Sequence, residues 1–118
     1  MEKMYFDREQ EHAKAVQRAK EEILSGSDVE KICNIFQILS MPSRLKIVLA
    51  LLNGEMCVYH LTEVCGGTVS SVSHQLRILR DNCIVKAKRF GKNVEYSIID
   101  EHVCKIILMA VEHLSCGE

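Results

Sequence analysis

The chain has 118 residues, 47% hydrophobic and 26% charged, a size and balance that suit one domain with one core. No apolar run approaches the roughly 18 residues of a membrane span, and the charged opening "MEKMYFDREQEHAKAVQRAKEE" lacks the apolar stretch of a secretory signal. The net charge of −1 is uninformative as a sum, yet it is unevenly spread.

Met1 to Glu30 carries five Lys/Arg against eight Asp/Glu. Arg77 to Lys92 carries six against Asp81 alone, a basic patch of the kind that meets phosphates. The six cysteines have no disulfide-scaffold spacing, so the expected setting is a reducing cytoplasm with no membrane partner.

In chain order, residues 7–25 read as a charged helix stopped by Gly26, giving an N-terminal helical segment 1–26. Ser27 or Asp28 is the expected cap of the next helix, with Ile32, Ile35, Phe36 and Leu39 as its buried stripe. Pro42 suits the first position of a third helix, "SRLKIVLALLNG", apolar enough to be central core.

In residues 57–82 two helical patterns flank Gly66-Gly67-Thr68, the layout of a helix-turn-helix. Val69, Val72, Leu76 and Leu79 form the inward stripe of its second helix. Ser70, Ser71, Ser73, His74, Gln75 and Arg77 are the candidate contacts to DNA: small hydroxyls allow close approach, and the longer groups reach bases or phosphates.

Residues 84–99 alternate as a β-hairpin around Gly91-Lys92-Asn93, with Lys88, Arg89 and Lys92 as further DNA contacts. A basic hairpin after a recognition helix is a wing. The fold class is therefore mainly α (α+β), a single winged helix-turn-helix domain over 1–118 with extra N- and C-terminal helices for dimerisation.

The last helix, 100–116, raises a geometric problem. With Asp100 as N-cap, His102 and His113 point to one side, and Cys116 follows His113 by three residues. Eleven residues separate the histidines by about 16 Å, whereas ligands sit about 2.0–2.3 Å from one ion.

One helix cannot close around a single ion, but two antiparallel copies can. Residues then pair at a near-constant sum of numbers: His102 with His113 and Asp100 with Cys116 differ by one in that sum and fit one register. A two-fold homodimer would thus hold two interchain sites, each with Asp100 and His102 of one chain and His113 and Cys116 of the other. Four mixed N, O and S ligands suit Zn(II) first, with Cd(II) or Co(II) able to substitute, and leave no open catalytic position. The plainer reading is a seam of Ile106, Ile107, Leu108, Ala110 and Val111 with two solvated histidines.

The stretch "SVSHQLRILRDNCIVKAKRFGKNVEYSI" and the pattern Asp-x-His, ten residues, His in "DEHVCKIILMAVEHLSC" resemble the ArsR/SmtB family of bacterial metal-sensing repressors, over Val29 to Cys116. Asp100, His102 and His113 match the zinc-sensing group; Cys116 stands where Glu or His is usual. The resemblance implies a homodimer that binds double-stranded operator DNA when metal-free. Metal binding releases the DNA and derepresses efflux or sequestration genes in a bacterial cytoplasm. In the family's zinc sensors a ligating histidine hydrogen-bonds toward the recognition helix, which would involve His74.

"EMCVYHL" resembles the family's "ELCVCDL" box, placed on the first helix of the helix-turn-helix. It offers Cys57 and His60, with His12 as the candidate partner for a second metal site. Cys33, Cys65, Cys83 and Cys104 are expected to be small buried hydrophobes. A thiol-based redox repressor on the same fold is the alternative. A small zinc enzyme finds no supporting catalytic arrangement.

Overall fold

In a computed structural model of the chain, residues 2–117 are described, with side chains from residue 7 onward. The chain parts into two compact units, Met1–Cys33 and Asn34–Glu118.

The first unit contains α1 (Glu2–Glu22) and the opening of α2 (Gly26–Leu39). Every described side chain of α1 is exposed, as its charged sequence requires. The helix ends at Glu22, before the expected stop at Gly26, and Gly26 instead opens α2. Ser25 is the reason. Its hydroxyl accepts from the Asp28 backbone N–H at 3.3 Å, and its carbonyl accepts from Val29 at 3.0 Å. The cap is therefore Ser25, not Ser27 or Asp28.

The second unit holds the remainder of α2, then α3 (Pro42–Leu51), β1 (Met56–Cys57), α4 (Val58–Cys65), α5 (Val69–Asp81), β2 (Val85–Phe90), β3 (Asn93–Ile98) and α6 (Glu101–Cys116). Pro42 starts α3 as expected, and Ile47, Val48, Ala50 and Leu51 make that helix the centre of the core. Around it pack Leu61 of α4, Val72, Leu76 and Leu79 of α5, Ile84, Val85 and Ile98 of the hairpin, and Val103 and Ile107 of α6.

The stripe expected on α2 is only half covered. Leu39 is buried and Ile35 partly so, while Ile32 and Phe36 are exposed; Ile38 takes the second buried place. Val69, expected on the inward stripe of α5, is also exposed, because it is the first residue of that helix and precedes the packed turns.

The sheet is antiparallel in the order β1-β3-β2. The β2–β3 hairpin runs from Val85 opposite Ile98 to Phe90 opposite Asn93, so only Gly91 and Lys92 form the turn. Gly91 has φ 60°, as a hairpin turn with Gly first demands. The short β1 is an addition to the sequence reading. Met56 and Cys57 pair with Tyr96 and Glu95, so the "EMCVYHL" segment begins as sheet edge and only then becomes helix.

Candidate nucleic-acid interface and metal ligands

The helix-turn-helix is α4 and α5, joined through Gly66 and Gly67, both at positive φ. Gly67 is held to its type twice over: φ is 82°, and a Cβ there would lie 3.0 Å from the Ser71 hydroxyl. Thr68 caps α5 reciprocally with Ser71. The Thr68 hydroxyl accepts from Ser71 N–H, and the Ser71 hydroxyl accepts from Thr68 N–H, both at 3.0 Å. Ser71 thus spends its hydroxyl on the cap, while Ser70, Ser73, His74 and Arg77 line an open groove of about 420 Å³.

Gln75 is half-buried and turned inward: its side-chain oxygen accepts from Arg44 Nε at 3.0 Å. The pair ties the recognition helix to the start of α3. Arg44 does not stand out in sequence, because its partner lies 31 residues away.

On the wing, alternation puts Lys86, Lys88 and Phe90 on one face of β2 and Arg89 on the other. The Lys88 ammonium sits 5.0 Å from the Phe90 ring centroid, a cation–π contact that orders it. Lys92 is exposed at the turn.

At the start of α6, Asp100 divides its two oxygens. Oδ1 accepts from the Val103 backbone N–H at 3.0 Å and caps the helix, while Oδ2 lies 3.6 Å from His102 Nδ1. The cap bond, helped by His102, holds the Asp100 carboxyl below the usual carboxylate range. His113 and Cys116 lie exposed on the last turns of the same helix.

The other candidate pair is Cys57 and His60, with Sγ and Nδ1 3.4 Å apart across the first turn of α4. His12 belongs to the other unit, so the pair stands by itself within residues 34–118. Among the described residues, no three His, Cys, Asp or Glu side chains of one chain come together as a metal site.

Two of the four cysteines expected to be buried are not. Cys33 is exposed on α2, and Cys83 is exposed in the α5–β2 turn, at a left-handed φ of 58°. Cys65 and Cys104 are half-buried, and burial raises the Cys65 thiol against the opposing pull of Lys46.

This geometry has counterparts. The pattern of bacterial regulatory proteins of the arsR family matches residues 41–87, from the start of α3 into β2. A transcriptional repressor SmtB homolog of Synechocystis is 38% identical over 103 residues, covering 87% of this chain and 78% of that protein. The chain belongs to the ArsR/SmtB family of transcriptional repressors.

A cadmium resistance regulatory protein, a CadC homolog of Staphylococcus aureus, is 34% identical over 86% of this ArsR/SmtB chain and 84% of its own length. The solution structure of a homodimeric winged helix-turn-helix DNA-binding domain from Mycobacterium bovis superposes with a TM-score of 0.68 at 26% identity. That match covers 77% of this chain and 91% of that one. The relatives are transcriptional regulators, not enzymes, and the small zinc enzyme has no support among them. Among the described residues no single helix is long and apolar enough to cross a membrane.

Proposed function

We propose that this protein is a cytoplasmic, metal-responsive repressor. A homodimer holds operator DNA when metal-free and lets go when Zn(II) or Cd(II) binds between the two copies of α6. Genes for metal efflux or sequestration are then expressed. Ser70 and His74 meet the DNA groove; Ser73, Arg77, Lys88, Arg89 and Lys92 meet the backbone beside it. Asp100 and His102 of one protomer join His113 and Cys116 of its partner.

The observation that carries this reading is the division of α6. Asp100 Oδ2 and His102 stand together at one end, His113 and Cys116 at the other, and between them Ile106 and Met109 are 40% and 66% exposed on the same side. One chain offers two half-sites and an uncovered apolar strip, the pattern expected where a two-fold axis crosses a helix.

The donor set fits the ion. One carboxylate, two imidazoles and a thiolate are borderline to soft ligands and complete a four-coordinate shell. A bound ion would supply a cross-link between the two helices. Val103 and Ile107 on the inner side of α6 belong to the same core cluster as Leu76 and Leu79 of α5. A close-packed core passes a shift of α6 to the recognition helix. Metal and DNA then oppose each other by equal factors.

The test is a metal titration of the protein bound to its own promoter DNA, read by fluorescence anisotropy in reducing buffer. Release at one ion per chain supports the reading. DNA that stays bound with every metal contradicts it, and release by oxidants that Cys→Ser variants abolish would favour the thiol-based alternative.

A further inference from the structure

A second cavity of about 150 Å³ opens between the later turns of α5 and strand β3, lined by Ser73, Leu76, Arg77, Arg80 and Tyr96. Ser73 and Arg77 line the groove of the recognition helix as well, so the two spaces adjoin through them.

Its chemistry is one-sided. Two guanidiniums and two hydroxyls face a floor made by buried Leu76, and no carboxylate lines it. Among the described residues neither Arg77 nor Arg80 is in an ion pair. Guanidinium donors beside hydroxyls suit a tetrahedral oxyanion, whose several acceptor oxygens they can meet at once.

Its position selects the anion. At 100° per residue, Ser73, Arg77 and Arg80 fall within about 60° on the flank of α5 nearest the sheet, while Ser70 and His74 lie on the crest. Groups on the crest of a recognition helix reach base edges; groups on its flank meet the sugar-phosphate strand beside the groove. Arg80 in the last turn also complements the helix dipole, but that role needs neither Tyr96 nor a cavity.

We infer that this cavity seats one backbone phosphate of the bound DNA. Arg80 and Tyr96 hold it from the helix and sheet sides, fixing how deeply α5 enters the groove. The inference rests on the DNA-binding reading above and adds two contacts to it.

The experiment measures affinity of the full-length protein for its promoter duplex and for an unrelated duplex across a salt series, with wild type, Arg80→Gln, Arg80→Lys and Tyr96→Phe. Arg80→Gln is expected to weaken both duplexes by the same factor, on the order of tenfold, and to lower the log–log salt slope by about one. Arg80→Lys should recover the slope, since the charge returns. Tyr96→Phe should weaken both duplexes about threefold at unchanged slope.

An unaltered affinity and slope in Arg80→Gln would overturn the inference, as would a loss confined to the promoter duplex, which would make Arg80 a base reader. If wild type itself binds neither duplex, the DNA-binding reading fails. If wild type binds and Arg80→Gln equals it, only the phosphate seat fails.

Discussion

Helices α5 and α6 are both amphipathic, and one chain finishes only the first. On α5, Val72, Leu76 and Leu79 are 4%, 1% and 0% exposed, and the outer side is polar. On α6, Val103 and Ile107 are buried, yet Ile106, Leu108, Met109, Val111 and Leu114 stand between 40% and 77% exposed. A helix with one apolar side is a wall of its own domain. A helix with a second apolar side needs another surface. On the proposed function the contrast separates two halves: the DNA reader would be assembled within a protomer, and the sensor between protomers.

Three substitutions probe that contrast. Leu76→Ala removes buried side-chain volume under the recognition helix and should cost about 3 kcal/mol, lowering the thermal midpoint and abolishing DNA binding. A midpoint within two or three degrees of wild type would mean that α5 does not depend on its core stripe. Met109→Glu should leave folding of the protomer near wild type, since Met109 is 66% exposed, but shift the dimer toward monomer in sedimentation. If the dimer persisted at the same concentration, α6 would not be the seam.

Asp100→Asn gives the smallest effect and one that depends on pH. The Asp100 carboxyl is held below its ordinary range in the folded chain. Its carboxylate therefore contributes stability that is present above the unfolded-state pKa and lost as pH falls through the lower folded value. The amide still caps the helix but does not titrate. Melting curves of Asp100→Asn should lie slightly below wild type near neutrality and converge with it on the acid side, so that the variant's fall is the flatter one. A parallel fall in both proteins would show that the carboxylate adds nothing.

The winged helix-turn-helix is legible in the sequence because local signals agree there. Gly66-Gly67-Thr68 marks the turn, the 3.6-residue stripe marks α5, and alternation marks the hairpin. What escapes is set by distant contacts. Strand β1 has two residues and exists only because Tyr96 and Glu95 lie opposite. The bond that Gln75 accepts from Arg44 spans 31 residues and leaves no local signal. Cys83 sits beside buried Ile84, yet is itself exposed, at a positive φ in the turn. The ligand candidates of α6 and the antiparallel register proposed for them are both read from spacing, and within one chain they stay at opposite ends of the helix.

The most direct test of an interchain sensor mixes two defective chains. His102→Ala and His113→Ala homodimers each lack one ligand at both sites. Exchange between them forms heterodimers in which one site is doubly defective and the other is intact, with His102 from one protomer and His113 from its partner. The readouts are Co(II) or Zn(II) binding and metal-driven release of promoter DNA, measured for each variant alone and after mixing and exchange. Neither variant alone is expected to bind tightly or release DNA, and the mixture is expected to regain both. A mixture as inert as its parents would contradict a site shared between two copies of α6.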